Sequence, residues 1–161
     1  FRHHGQNQDK RYSYLDLGYN YRMTDIAATI ALNQLEKIDE FNKIRNNNAK
    51  IYDEGLKNLN RIILPKTDEN EFHAYHQYTI RLENEFFRDG LKKYLNSRGI
   101  GTGLYYPISL NKFKHLKNSS DDFYNSEKFS KTVLSLPIQP KLKNKDILFV
   151  IDTIKEYLNE N

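Results

Sequence analysis

The sequence predicts an α+β fold: a long N-terminal helix followed by a small sheet of about three strands covered by helices. Three observations predict it. Apolar residues recur at intervals of three and four from about Thr24 to Leu59, the residues Phe72–Leu82 alternate as a strand does, and further helical patterns then separate short apolar runs. The implied order is long helix, strand, helix, strand, helix, strand, helix, which closes as a small sheet under helices.

Residues 1–23 are a polar loop already under way at Phe1, and they read as the middle of a longer protein. Four tyrosines, Tyr12, Tyr14, Tyr19 and Tyr21, surround Gly18, Asn20 and Arg22, a density of hydrogen-bonding groups that an ordinary connector does not need. Thr24 or Asp25 opens the helix, because either side chain accepts from the unpaired N–H groups of a first turn. Residues 24–60 then form one helix, or two with a break near Asn46 to Asn48. Its apolar positions are Ile26, Ile30, Leu35, Ile38, Phe41, Ile44, Tyr52, Leu56 and Leu59. Unbroken, it would reach roughly 50 Å and project toward another body of protein. Ala27, Ala28, Thr29 and Ala31 near its start permit a neighbour to approach closely.

Residues 61–161 are read as the small domain. Arg61–Lys66 is a short apolar run ended by Pro65, followed by a solvated loop. Phe72–Leu82 is the first strand, with Tyr78, Ile80 and Leu82 on one face. Phe86–Arg98 is a helix with Phe87, Leu91, Tyr94 and Leu95 inside and Arg88, Lys92 and Lys93 outside, and Gly99 caps it. Ile100–Tyr106 reads as a second strand, Ile108–Ser120 as a long irregular segment of the kind that covers sites, and Asp121–Lys131 as a helix. Val133–Leu136 is a third strand stopped by Pro137. Asn144–Leu158 is the last helix, with an apolar stripe of Ile147, Val150, Ile151, Ile154, Tyr157 and Leu158.

Composition narrows the functional classes. At 161 residues the chain is long enough to bury a proper core, and 12 Tyr and 9 Phe supply apolar bulk to an otherwise polar sequence. The 25 basic and 21 acidic residues interleave along the helices, so the net charge of +4 is a mild excess and nucleic acid is not the expected partner. With no cysteine there is neither a disulfide framework nor a thiol nucleophile, and no apolar run reaches the ~18 residues a membrane span needs. The default expectation is a cytoplasmic protein without a membrane partner. No Ser/His/acid set, phosphate-cradling loop or paired-carboxylate signature is present, so the chain shows no catalytic residue of its own.

An ordered series of short motifs runs through the whole chain. It begins with His4-Gly5, Arg11-Tyr12 and Leu17-Gly18-Tyr19-Asn20-Tyr21-Arg22-Met23, then Asp25-Ile26, Gln34-Leu35, Arg45, Tyr52 and Leu56. It continues with His73, His76-Gln77-Tyr78, Arg88-Asp89, Gly99-Ile100 with Thr102, Tyr106-Pro107 and Leu134-Ser135-Leu136-Pro137. In these residues the chain resembles the C-terminal domain of the pyridoxal-phosphate-dependent sugar aminotransferases of the DegT/StrS type, in the fold-type-I aminotransferase superfamily. The resemblance implies pyridoxal phosphate (PLP) as the full-length protein's cofactor, a homodimer, a missing large domain that carries the Schiff-base lysine, and transfer of an amino group from glutamate to a keto group of a nucleotide-linked sugar. It also implies that this fragment is inactive alone. Ser109-Leu110-Asn111 stands where the family often has Pro-Leu-His, and Ala27 where it often has Gln.

The candidate site residues follow. Asn20 offers two N–H donors without a titratable charge, suited to a phosphate oxygen; residue type alone favours a turn residue after Gly18, and the resemblance reverses that, implying that Asn20 reaches the cofactor phosphate across the dimer. Arg22 can fork onto a carboxylate or phosphate of donor or nucleotide sugar, or pair with Asp25. Tyr19, His76, Tyr105 and Tyr106 are candidates for contacts with substrate; Tyr19 also reads as a packing residue, and Tyr105 and Tyr106 as the end of a strand. His73 and His76 stand three apart, which on a strand puts them on opposite faces, so no metal site is expected. The run Lys112–Lys117 interleaves basic and apolar residues and reads as a solvated loop or one that meets a diphosphate. Two other readings remain from the sequence: a same-family sugar dehydratase, and a stand-alone basic module that binds nucleic acid or protein.

Overall fold

The computed structural model describes residues 2–68, 70–116 and 123–160. The chain divides into two compact units, Phe1–Asp39 and Glu40–Asn161.

The first unit is a loop followed by helix α1, Asp25–Leu35. Thr24 is the cap, its hydroxyl accepting from the Ala27 amide at 3.3 Å. The helix buries none of its residues, and Ile26 and Ile30 are 77% and 60% exposed, so no described residue covers the small residues at which a close neighbour is expected. Helix α2, Ile38–Leu56, follows after a turn at Glu36–Lys37. The long helical pattern is therefore two helices, and the break lies there rather than at Asn46–Asn48. Tertiary anchorage explains the difference. The Asn46 amide donates to the Asn42 carbonyl of its own helix and to the His73 carbonyl at 2.8 Å, while Asn48 is buried. Packing thus overrides the weak helix propensity of asparagine.

The second unit holds a three-stranded antiparallel sheet in the order β1 (Ile62–Ile63), β2 (Tyr78–Leu82), β3 (Val133–Leu136). Ile62 pairs with Leu82 on one side of β2, and Tyr78 with Leu136 and Ile80 with Leu134 on the other. Alternation sends Tyr78, Ile80 and Leu82 into the core, where the Tyr78 ring stacks on Tyr52 of α2 at 4.8 Å. On the opposite face of β2, the Thr79 and Ser135 hydroxyls meet at 2.7 Å and the Arg81 guanidinium lies over the Phe129 ring. Helices α3 (Glu85–Ser97), α4 (Tyr124–Thr132) and α5 (Asn144–Glu160) complete the unit. Leu91 and Leu95 of α3 join Ile147, Ile151 and Ile154 of α5 in one core, and Gly99 ends α3 at φ +78.

Three local expectations are corrected. The strand expected from Phe72 begins only at Tyr78, because Tyr75 takes a left-handed φ of 42° and its amide donates to His73 Nδ1, a turn instead of a pleat. Ile100–Tyr106 makes a single bridge, Gly103 to Ser135, and the third strand is β1 in the short run after Arg61. Arg88 lies inside at 4% exposure, donating to Asp89, Glu85 and the Ser130 carbonyl, so α4 is tied to α3 by a cation expected in solvent. In the long segment after Ile108, short 3-10 turns occupy Leu110–Lys112 and Lys114–Leu116; Lys117 and the expected helix start at Asp121 lie outside the described residues.

Candidate functional site

The loop of the first unit is a small crossed structure built by backbone bonds. His4 donates to the Tyr19 carbonyl at 3.0 Å, Tyr21 to Arg2 at 3.0 Å and Leu15 to Gly5 at 2.9 Å, and isolated bridges pair His3 with Asn20 and Gln6 with Tyr14. Gly5 has a φ of +66, and a Cβ on Gly18 would overlap the backbone of Gly5 and His4. Glycine is thus required at the crossing, because the two segments touch through bare main chain.

This crossing decides how the candidate residues are presented. Asn20 sits in a bridge with ordinary negative φ, so a left-handed turn does not account for it, and it is exposed. Arg22 is also exposed and donates from Nη2 to His4 Nε2 at 3.1 Å, a partner other than Asp25. The Tyr19 and Tyr21 rings stack at 5.1 Å and 13°. The outcome is an exposed carboxamide, a guanidinium and two stacked phenol rings carried by Gly18–Arg22, a donor-rich surface suited to oxyanions.

The other three candidates belong to the second unit. A cavity of about 560 Å³ is lined by Arg45, His76, Gln77, Thr102, Tyr105 and Gln139, among others. A second cavity of about 390 Å³ has Tyr105, Tyr106, Ile108, Leu110, Phe129 and Val133 in its wall and is mainly apolar. Tyr105, 48% exposed, borders both, and the Tyr106 ring meets it edge-on at 5.8 Å. The loop is strapped to α4: Glu127 accepts from Lys112 Nζ at 2.7 Å and from Asn111 Nδ2 at 2.9 Å, which lowers its carboxyl from its ordinary value. Ser109 and Ser126 share a further bond at 2.8 Å.

His73 and His76 lie outside the strand, so the opposite-face argument against a shared ion does not apply to them. Among the described residues no group of three His, Cys, Asp or Glu side chains converges on a point, and no helix is long and apolar enough to cross a membrane. Sequence reasoning missed Arg45, Gln77, Thr102 and Gln139 as cavity residues. One signal was available: Arg45 continues, one turn toward the N-terminus, the buried stripe of Asn48, Ala49, Tyr52 and Leu56. A cation on such a stripe calls for an anion.

Comparison with known proteins bears on the whole arrangement. The profile of the DegT/DnrJ/EryC1/StrS aminotransferase family matches residues 1–155. The UDP-2-acetamido-2-deoxy-3-oxo-D-glucuronate aminotransferase of Pseudomonas aeruginosa is 33% identical over 91% of this chain and 39% of its own length. The crystal structure of DesV from S. venezuelae superposes with a TM-score of 0.85 at 31% identity, covering 98% of this chain and 42% of that one. The PLP-form of Spr1654 from Streptococcus pneumoniae gives a TM-score of 0.80 at 26% identity, covering 98% of this chain and 41% of that one. The chain thus spans less than half the length of these relatives.

Proposed function

The chain belongs to the DegT/DnrJ/EryC1/StrS aminotransferase family, and from that premise we propose that it is the C-terminal part of a PLP-dependent enzyme that moves an amino group from glutamate to a keto group of a nucleotide-linked sugar. The sugar-nucleotide substrate is carried over from the relative whose name gives one, and the cofactor from the solved PLP-form. When bound, PLP carries the amino group and acts as electron sink, while protein groups bind, orient and shield.

In this reading the Schiff-base lysine belongs to the large domain, and the loop of residues 2–23 serves the active site of a second subunit in a homodimer. Asn20 is the observation that carries the proposal. The residue is exposed, its backbone is bridged to His3, and no hydrogen bond within the described residues occupies its carboxamide. Its two N–H donors fit phosphate oxygens and keep that ability at any physiological pH. Arg22, oriented by His4, supplies a planar cation for a carboxylate of the donor or the diphosphate of the sugar nucleotide. Tyr19 contributes a ring beside it. The second unit by itself presents His76, Tyr105 and Tyr106 at its own cavities as substrate contacts.

The test is cofactor affinity of the full-length protein. Asn20→Ala removes a hydrogen bond to a charged group, so PLP should bind roughly 10-fold more weakly in a spectroscopic titration. Unchanged affinity would remove Asn20 from the cofactor site.

A further inference from the structure

The cavity around Arg45 has a charge balance of its own. Among the described residues it is lined by one guanidinium, one imidazole and the amides of Gln77 and Gln139, and by no carboxylate. Arg45 is half-buried, donates from Nη1 to Asn42 at 3.2 Å, and has no acidic group within ion-pairing distance among the described residues. A cation partly withdrawn from water without a counter-charge is a costly arrangement unless an anion completes it. On the same wall the Thr102 hydroxyl is buried with no hydrogen-bond partner among the described residues. Leu136, Pro137 and Ile138 contribute the apolar part of the wall.

We propose that Arg45, His76, Gln77 and Gln139 form an oxyanion-binding site for a carboxylate or phosphate group of a small metabolite. The guanidinium fork is the charged anchor, the amides and the imidazole supply further N–H donors, and the volume of about 560 Å³ leaves room for the rest of the molecule. The site lies wholly within the unit Glu40–Asn161 and does not rest on the role given to Asn20.

Calorimetric titration of the 161-residue chain at constant ionic strength tests it, with 2-oxoglutarate, UDP and inorganic phosphate as probes. Saturable binding of 2-oxoglutarate alone assigns the site to a carboxylate source, of UDP or phosphate alone to a phosphate source, and of all three to the shared oxyanion chemistry. Arg45→Gln should weaken binding by about 10-fold or more, the loss of one charge-assisted contact. Because Arg45 is half-buried, exposed Gln139 provides a second arm: Gln139→Glu should weaken binding and Gln139→Lys should tighten it. Lys145→Gln, which removes an exposed positive charge on α5, should leave it unchanged. Absence of saturable binding for every probe, or an equal loss in Arg45→Gln and Lys145→Gln, overturns the site, and either result leaves the PLP titration of Asn20→Ala free to stand or fall separately.

Discussion

The two units of this chain are ordered by different forces. In Glu40–Asn161, side chains from α2, β2, β3, α3 and α5 bury one another completely, as Tyr52, Ile80, Leu95, Leu134 and Ile154 do. In Phe1–Asp39 the large apolar side chains Leu15, Leu17, Ile26, Ile30 and Leu32 are all exposed, and order comes from main-chain bonds, a glycine crossing and stacked tyrosines. The difference teaches that helical periodicity reports an apolar face without reporting what covers it. α1 carries Ile26, Ile30, Leu32 and Leu35 yet buries none of its residues, whereas α5 buries Ile147, Val150, Ile151, Ile154 and Tyr157 among the described residues.

Core truncation should separate the units most sharply. Leu95→Ala should cost about 3 kcal/mol of unfolding free energy, because the residue is fully buried, whereas Ile30→Ala, at an exposed position, should shift it by less than about 0.5 kcal/mol; denaturant midpoints of the isolated chain compare the two. Equal effects would mean that α1 is covered in solution. Next in size is Gly18→Ala, whose Cβ meets immovable backbone at Gly5 and His4. Overpacking of this kind costs about 1–3 kcal/mol, and amide NMR shifts should change through residues 2–23 while those of the sheet stay in place.

The smallest effect sharpens the description of the core. Tyr78 donates to Asp53 at 2.6 Å, and burial, followed by that bond and the Asp53 charge, holds its phenol well above the ordinary 10.0. A phenol whose folded pKa is raised contributes stability that is complete below about pH 10 and is lost as the pH climbs above it, since only the unfolded chain can ionise there. Tyr78→Phe should therefore cost about 1 kcal/mol at neutral pH and flatten the alkaline fall in stability, as read by denaturation at pH 7 and above pH 10.

Much of the second unit was legible along the chain. Val133–Leu136 before Pro137, the α5 stripe and the Gly99 cap are local patterns whose meaning depends on few neighbours. β1 was not, because two isoleucines become a strand only when Leu82 and Arg81 offer a ladder. Arg88 misled for the complementary reason: a cation at a surface-like position is buried once the Ser130 carbonyl and two carboxylates surround it. Among candidate residues, the dense polar run from Tyr19 to Arg22 announces itself, whereas Arg45, His76, Tyr105 and Gln139 are spread over almost a hundred positions and meet only around one cavity.

The sequence by itself determined where most of the helices lie, that strands cover Tyr78–Leu82 and Val133–Leu136 and where the α5 stripe runs, because these patterns depend on neighbours one to four residues away. The tertiary structure alone decided where the long helical pattern breaks, that α1 keeps its apolar face exposed while α2 buries part of its own, and which polar groups share a cavity. Those outcomes depend on contacts between residues distant in the chain, and the free energy of burying or pairing a side chain is set by what surrounds it rather than by what precedes it.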